Sequence, residues 1–231
     1  MAKRLFDIVA SLVALLLLAP LILLAAIGIR LSSRGPAFYC PLRAGLQGQS
    51  FTLFKLRTMH LDHGANVSVV TGANDSRVFA LGNILRKLKI DELPQLWNIL
   101  RGDMSIVGPR PEDLKIVAQH YDDIGLSTLA VRPGLAGVSS IYNYTHGEKI
   151  LTGPDPEQIY VRDLLPIKLA LEAVYLQQAS VTYDFRLIMR TAAAIVRIAS
   201  GQKEFPDPPE MAAACGLLDT SKRTSTIRRV A

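Results

Sequence analysis

The feature that most constrains this chain is an apolar segment near its N-terminus. No charged residue occurs from Ile8 to Ile29, and as a helix these 22 residues would be about 33 Å long, close to the thickness of a hydrocarbon core. The segment therefore predicts a membrane helix. A cleaved signal peptide is the alternative, but its apolar core is shorter and a small-residue cleavage site follows, whereas Arg30, Arg34 and Arg43 follow here.

The apolar segment fits two membrane geometries. Pro20 lies near its middle, where a proline removes a backbone hydrogen bond and bends a helix. Lys3 and Arg4 precede the segment and Arg30 and Arg34 follow it, so the positive-inside rule favours neither orientation. A re-entrant helix that turns at Pro20 would explain both observations. Kinked spanning helices are nevertheless frequent, so these residues alone favour the spanning form and leave both geometries open.

Composition limits the class of partner. Hydrophobic residues make up 49% of the chain and the formal net charge is +6, which indicates a membrane surface or anionic ligands. Only 6% of residues are aromatic, and they are not interleaved with basic residues as in nucleic-acid stacking platforms, so we expect no nucleic acid partner. Cys40 and Cys215 lack metal-ligand spacing, which favours two free thiols.

Helices and one hairpin are predicted for the rest of the chain. Apolar and polar residues alternate from Ser50 to Met59, which predicts a strand pairing with residues 37–43. Leucine and isoleucine recur at helical spacing over 81–88 beside basic residues, and a second amphipathic helix is predicted from Asp184, as its N-cap, to about Ser200. Either helix could lie in a membrane interface or cover a core. Residues 142–157 are predicted to be a loop.

Two adjacent carboxylates, Asp91 and Glu92, precede a short apolar-faced helix. Pro94 fits its first turn and Gly102 its end, which would make Asp91 the N-cap. The positive end of a helix also attracts phosphate groups, and a carboxylate and a phosphate share one place only with a cation between them. The pattern therefore favours metal-assisted phosphoryl chemistry. A purely structural role in capping the helix is the alternative, and it is common for such residues.

Two arginines lie on proline-restricted turns. Arg110 lies between Pro109 and Pro111, and a stiff loop of this kind can present a guanidinium for bidentate phosphate binding. Arg132 precedes Pro133 and Gly134 and repeats the arrangement. Plain proline turns are the alternative interpretation.

Several motifs occur in a specific order along residues 3–200. They are Lys3-Arg4-x-x-Asp7, Lys55-x-Arg57-Thr58-Met59, Asp91-Glu92-Leu93-Pro94-Gln95-Leu96-x-Asn98, Gly102-Asp103-Met104-Ser105-Ile106-Val107-Gly108-Pro109-Arg110-Pro111 and Arg132-Pro133-Gly134. Together they resemble the bacterial sugar transferases, the monotopic phosphoglycosyl transferases.

The resemblance implies an enzyme that moves a sugar-1-phosphate from a UDP-sugar to polyprenyl (undecaprenyl) phosphate and releases UMP. It implies Mg²⁺ and a covalent intermediate, with Asp91 as the nucleophile and Glu92 as its partner, both of them metal ligands. Five basic residues match positions that bind substrate phosphate: Lys55, Arg57, Arg86, Arg110 and Arg132. The reaction would be the first membrane step of a surface glycan pathway, such as exopolysaccharide, capsule, O-antigen or glycoprotein glycan.

The resemblance also implies the architecture. We expect a mainly α-helical fold with a small β-hairpin: a re-entrant helix broken at Pro20 (1–31), a catalytic domain with interfacial helices (32–204) and a disordered basic tail (205–231). The catalytic domain would lie on the cytoplasmic face of the bacterial inner membrane, in contact with membrane lipids, as a minimal catalytic form. A homodimer is compatible with this arrangement.

Two departures from the family's pattern stand out. Ala19 precedes Pro20 where a serine is frequent, and a segment containing Tyr142 and Tyr144 replaces a Trp-x-Gln type segment after Gly137. The second departure leaves the sugar unassigned. Two other classes of protein stay open, an inactive membrane-anchored scaffold and a peripheral lipid- or nucleic-acid-binding protein.

Overall fold

Helices dominate the structure, a computed structural model that describes residues 2–61, 70–71, 75–152 and 154–219. Most of them are short, and a last helix covers residues 211–219. The α-helices are α1 (Ala2–Ser32), α2 (Ala80–Lys87), α3 (Gln95–Arg101), α4 (Leu114–His120), α5 (Asp123–Thr128), α6 (Val138–Tyr142), α7 (Glu148–Ile150), α8 (Pro156–Ile159), α9 (Leu165–Gln178) and α10 (Val181–Ala199). Short 3₁₀ turns form at Leu46–Gly48 and Ile90–Glu92, and π-helical turns at Asn143–Gly147 and Tyr160–Leu164.

Three strand pairs complete the fold. The strands are β1 (Phe38–Tyr39), β2 (Leu42–Ala44), β3 (Ser50–Thr52), β4 (Lys55–Leu56), β5 (Ser105–Val107) and β6 (Gly134–Ala136). β1 pairs with β4 and β2 with β3, both antiparallel, which confirms the predicted pairing of residues 37–43 with 50–59. β5 and β6 pair in parallel, which the sequence did not predict.

One side of α1 packs against the rest of the described fold at its start, middle and end. Arg4 near its start donates hydrogen bonds to the carbonyls of Ile99 and Leu100, at 2.6 and 2.9 Å. In the middle of α1, Leu18 packs against a buried cluster that contains Ile99 of α3. Near the end of α1, the buried Ile29 packs with Leu56, Phe79 and Leu85. The helix still leaves most of its apolar surface exposed, which indicates membrane association, and it is the one described helix long and apolar enough to cross a bilayer.

The helical backbone of α1 continues through Pro20. The predicted interruption of the helix at Pro20 is therefore wrong. A proline removes one backbone hydrogen bond and can bend a helix without ending it. Re-entry into the same face of the membrane stays a prediction.

The predicted cap residues need correction at two helices. Asp91 is not an N-cap, because Leu93 and Pro94 adopt turn conformations and α3 begins only at Gln95. Gly102 does end α3, with a left-handed backbone at φ 94°. α10 begins earlier than predicted, since Ser180 is its N-cap and Asp184 lies in its first turn.

Two segments expected to be irregular are helical instead. Residues 142–157 contain a π-helical turn and two short helices, and Tyr142, Leu151 and Tyr160 beside or within them belong to the main core. In the tail, residues 211–219 form a helix, the side chain of Ala214 is fully buried, and Glu210 accepts hydrogen bonds from Arg190 on α10. Disorder of the tail is therefore wrong over 211–219, and residues 220–231 lie outside the described part.

Asn98 ties α3 to the strand pairs and is fully buried. Its amide nitrogen donates to the Thr52 carbonyl at 2.7 Å and to Asp103 Oδ2 at 3.1 Å, and its amide oxygen accepts from the Phe54 N–H at 2.9 Å. A single side chain thus fixes β3 and the residues leading to β4 against the helix that follows the carboxylate pair.

We predict that Asn98→Ala lowers the free energy of unfolding by about 2–4 kcal/mol, because the Thr52 and Phe54 backbone groups lose their buried partner. Thermal melting in detergent measures this loss. Asn83→Ala, on an exposed position of α2, is the matched control and should melt with the wild type. Equal melting temperatures for Asn98→Ala and the control would contradict the role of Asn98.

Candidate active site

The carboxylate pair lies on a tight connection between α2 and α3. Lys89 ends the turn after α2 with a left-handed backbone, φ 55° and ψ 21°, and the 3₁₀ turn Ile90–Glu92 follows at once. Both carboxylates are nearly inaccessible, with 3% of Asp91 and 6% of Glu92 exposed. Burying two adjacent acids is costly unless cations or hydrogen bonds compensate, so their partners define the site.

Glu92 is held on both of its oxygens. Arg110 donates to Oε1 at 2.7 Å and to Oε2 at 3.2 Å, and the Tyr144 hydroxyl donates to Oε2 at 3.0 Å. Arg110 also contacts the Tyr144 hydroxyl oxygen, at 2.9 Å. Burial would raise the pKa of Glu92, but the charges of Arg110 and then Lys89 outweigh it and hold that pKa below its ordinary value. Glu92 is therefore a fixed carboxylate.

Backbone packing places Arg110 opposite Glu92. Gly108 and Gly134 lie so close that a Cβ on Gly134 would be 2.0 Å from the Gly108 nitrogen. The Gly108 N–H donates to the Ala136 carbonyl at 3.0 Å, and the Gly134 N–H to the Pro109 carbonyl at 2.7 Å. The loop carrying Arg110 is thus fixed by the parallel strand pair β5 and β6, which only glycines allow to approach this closely.

A buried carboxylate on α9 supports the same loop. Glu172 Oε1 accepts the backbone N–H of Arg110 at 2.9 Å and the hydroxyl of Ser139 at 2.5 Å. Burial raises the pKa of Glu172, with Lys168 opposing that rise. Glu172 holds the backbone of Arg110, while Glu92 holds its guanidinium.

Asp91 has a different environment from Glu92. Lys55 Nζ lies 3.3 Å from its Oδ2, whereas its Oδ1 is buried and has no hydrogen-bond partner within the described residues. Burial raises the pKa of Asp91 above its ordinary value, and the charge of Lys55 opposes this rise. The site therefore holds one immobilised carboxylate and one with an uncommitted oxygen.

The predicted basic residues separate into two groups. Lys55 and Arg110 contact the carboxylates directly, and Arg86 lies near enough for its charge to lower the pKa of Asp91, although burial and Lys55 act on that group more strongly. The structure places the other two predicted residues elsewhere.

Arg57 and Arg132 make their contacts away from the carboxylates. Arg57 is buried and donates to the Pro36 carbonyl, both Ser33 oxygens and the Met59 carbonyl, which ties the end of α1 to β4. Arg132 donates to the Gly102 carbonyl at the far end of α3, about 10 Å along that helix, and lines a separate cleft of about 540 Å³. The contacts of Arg57 support the fold, and phosphate binding by Arg57 and Arg132 stays a prediction.

Tyr144 and Lys89 belong to the site but were not among its predicted residues. Lys89 Nζ lies 3.7 Å from the centre of the Tyr144 ring. Burial lowers the pKa of Lys89, and the charge of Glu92 opposes this. Tyr144 lay in the segment noted as departing from the family's pattern, and this departure was the one sequence signal that pointed to it.

Comparison with known proteins identifies the family. The sequence model of the bacterial sugar transferase family matches residues 1–198. The chain belongs to the bacterial sugar transferase family. Its carboxylate pair, its Arg110 loop and its α1 anchor all lie within the matched residues.

Three relatives show how much of each protein the similarity covers. The UDP-glucose:undecaprenyl-phosphate glucose-1-phosphate transferase of Caulobacter vibrioides is 36% identical over 201 residues, which are 84% of this chain and 69% of that protein. The exopolysaccharide production protein ExoY of Rhizobium meliloti is 36% identical over 84% of this chain and 85% of its own length. The undecaprenyl-phosphate glucose phosphotransferase of Komagataeibacter xylinus is 37% identical over 82% of this chain but only 35% of its own length.

We predict strong coupling between Glu92 and Arg110. Arg110→Met should lower the free energy of unfolding by about 3 kcal/mol, because it leaves a buried carboxylate without its cation. Adding Glu92→Gln should restore most of that loss, since the unpaired charge is then gone. Chemical denaturation in detergent measures both variants.

Arg162→Met is the control for this cycle, because the Arg162 side chain pairs with Asp163 at the protein surface. Its unfolding curve should superimpose on that of the wild type. If the loss of unfolding free energy in the double variant equals the sum of the losses in the two single variants, the pair does not stabilise the site.

Proposed function

We propose that this protein transfers a sugar-1-phosphate from a UDP-sugar to undecaprenyl phosphate and releases UMP, in the pathway of a surface glycan. The relatives carry names of undecaprenyl-phosphate sugar phosphotransferases or exopolysaccharide production proteins. The structural observation that supports the same activity is the buried Asp91 oxygen without a hydrogen-bond partner, beside a carboxylate fixed by Arg110.

The proposed mechanism has two displacements at one phosphorus. Asp91 Oδ1 attacks the phosphorus that carries the sugar, a new bond forms between that oxygen and phosphorus, and the bond to the UMP oxygen breaks with its electron pair. The resulting acyl phosphate is then attacked by an oxygen of the lipid phosphate, which forms the lipid diphosphate sugar and regenerates the Asp91 carboxylate. Lys55, Arg86 and Arg110 are the cations that would balance the charge of the diphosphate.

Magnesium is part of this proposal. Mg²⁺ in proteins is typically bound by one or two carboxylates together with substrate phosphates and water. The described residues contain no group of three or more metal-binding side chains. Asp91 Oδ2, which lies 3.3 Å from Lys55 Nζ, and Glu92 Oε1, which accepts one hydrogen bond from Arg110 Nη2, each keep a lone pair for a metal ion. Asp91 and Glu92 would hold the ion, which would supply charge neutralisation at the diphosphate.

The membrane arrangement is also part of the proposal. Both ends of α1 contact the same catalytic domain, through Arg4 and Asp7 at the start and Ile29 and Ser33 at the end. A straight spanning helix would separate its ends by about 30 Å of hydrocarbon. We therefore favour a re-entrant α1, bent at Pro20, with the domain on the cytoplasmic face of the inner membrane.

Two described helices could add an interfacial surface. α10 leaves Val181, Phe185, Met189 and Val196 exposed, and α2 leaves Ile84 exposed. Arg190 of α10 is paired with Glu210 and is therefore not available to lipid headgroups. We propose interfacial binding for the exposed apolar residues of the two helices.

We predict that the enzyme and a UDP-sugar release one equivalent of UMP without any acceptor, and that turnover follows ping-pong kinetics. Asp91→Asn should reduce UMP release at least about 1,000-fold, because the amide cannot act as the nucleophile. Asp163→Asn, at a solvent-exposed acid, serves as the control and should retain activity. Turnover by Asp91→Asn, or kinetics that require both substrates bound together, would contradict the mechanism.

A labelling experiment tests the membrane arrangement. Single cysteines at Ala2 and Ser32, both exposed, are introduced after Cys40 and Cys215 have been replaced. We predict that an impermeant thiol reagent labels both positions in inverted inner-membrane vesicles and neither in spheroplasts. If one position is labelled in inverted vesicles and the other in spheroplasts, α1 spans the membrane and the re-entrant arrangement is wrong.

A further inference from the structure

Lys89 has the least favourable backbone conformation near the site. It is one of only two non-glycine residues with a positive φ in the described ranges, and the usual residues at such a position after a helix are glycine and asparagine. Its N–H donates to the Arg86 carbonyl at 3.1 Å, and its carbonyl accepts the Glu92 N–H at 3.2 Å. A lysine at this position therefore accepts backbone strain that a glycine would avoid.

Within the described residues, the side chain of Lys89 has an aromatic contact but no polar partner. No hydrogen bond or ion pair to its ammonium occurs within the described part of the chain, because Arg110 and Tyr144 already occupy the nearest carboxylate, Glu92. The ammonium instead lies 3.7 Å from the centre of the Tyr144 ring. The ring attracts the cation electrostatically, and the ammonium keeps N–H donors that no acceptor within the described residues takes.

The charges around Asp91 and Glu92 favour the binding of an anion. Lys55, Arg86, Lys89 and Arg110 all act on the two carboxylates, so four positive charges oppose two negative charges, a surplus of two. The diphosphate of a nucleotide sugar carries about two negative charges, since each esterified phosphate is ionised. Its binding would reduce this surplus, which a bound Mg²⁺ would enlarge, and would supply acceptors for the ammonium of Lys89.

We propose that Lys89 binds a phosphoryl oxygen of the donor diphosphate, and that the ring of Tyr144 positions it for this contact. This inference rests on the proposed function and adds a specific pair of residues to it. Tyr144 then joins the two halves of the site, because its hydroxyl holds Glu92 and its ring holds Lys89.

The first test is binding of UDP, which carries the diphosphate without the sugar. Lys89→Met should raise the Kd for UDP about tenfold or more, the effect of one charge-assisted hydrogen bond. Lys87→Met removes the same charge from an exposed position of α2 and should bind UDP as the wild type does. Affinities are compared by titration calorimetry at a temperature at which circular dichroism shows every variant folded.

A second variant separates binding from folding. Lys89→Gly removes the ammonium and also relieves the strained backbone, so it should weaken UDP binding without lowering the melting temperature. Tyr144→Leu, which lacks the aromatic ring, should also raise the Kd for UDP. Wild-type affinity for UDP in the Lys89→Met and Lys89→Gly variants would overturn the inference, whatever their melting temperatures.

The remaining comparison distinguishes the donor from the lipid phosphate. The loss of affinity caused by Lys89→Met should be larger for UDP than for polyprenyl phosphate presented in detergent. Unchanged affinity for UDP together with weakened binding of polyprenyl phosphate would place Lys89 at the acceptor and contradict the proposal. If the wild-type protein binds UDP through Lys89 yet no UDP-sugar yields UMP, the proposed function fails while the assignment of Lys89 stands.

Discussion

The pairing of Glu92 with Arg110 is the interaction on which the site depends. It joins the turn between α2 and α3 to the proline-restricted loop after β5, two segments that meet only in the folded chain. Arg110 pairs with Glu92, whereas among the described residues the adjacent Asp91 forms an ion pair with Lys55 and has one oxygen without a hydrogen-bond partner. Two carboxylates that are adjacent in sequence thereby acquire different environments, and in the proposed mechanism different roles.

The elements that contact the start of α1 are the same elements that position the carboxylates and Arg110. Arg4 and Asp7 of α1 bind the end of α3 and the start of β5, and these two elements lead to Asp91 and Arg110 respectively. At its other end α1 is tied through Ser33 to Arg57. The position of the carboxylates relative to α1, and so to the bilayer that α1 would enter, therefore follows from contacts within one domain.

Local signals predicted much of this arrangement. The alternation over 50–59, the helical spacing before Asp91 and the stop at Gly102 depend on neighbouring residues, and the structure confirms all three. The helical character of 142–157 was missed because burial of Tyr142 and Tyr160 in the core, a tertiary effect, outweighs the polar local sequence. Tyr144 reaches Glu92 across 52 positions of sequence, which no local pattern could indicate.

The central claim is that the free oxygen of Asp91, and not of Glu92, forms a bond to phosphorus. Peptide mapping by tandem mass spectrometry, after incubation with a UDP-sugar in the absence of lipid acceptor, tests this most directly. The account predicts a sugar-phosphate mass on Asp91 that polyprenyl phosphate removes. The modification on Glu92, or steady turnover with no modified peptide at any time, would contradict it.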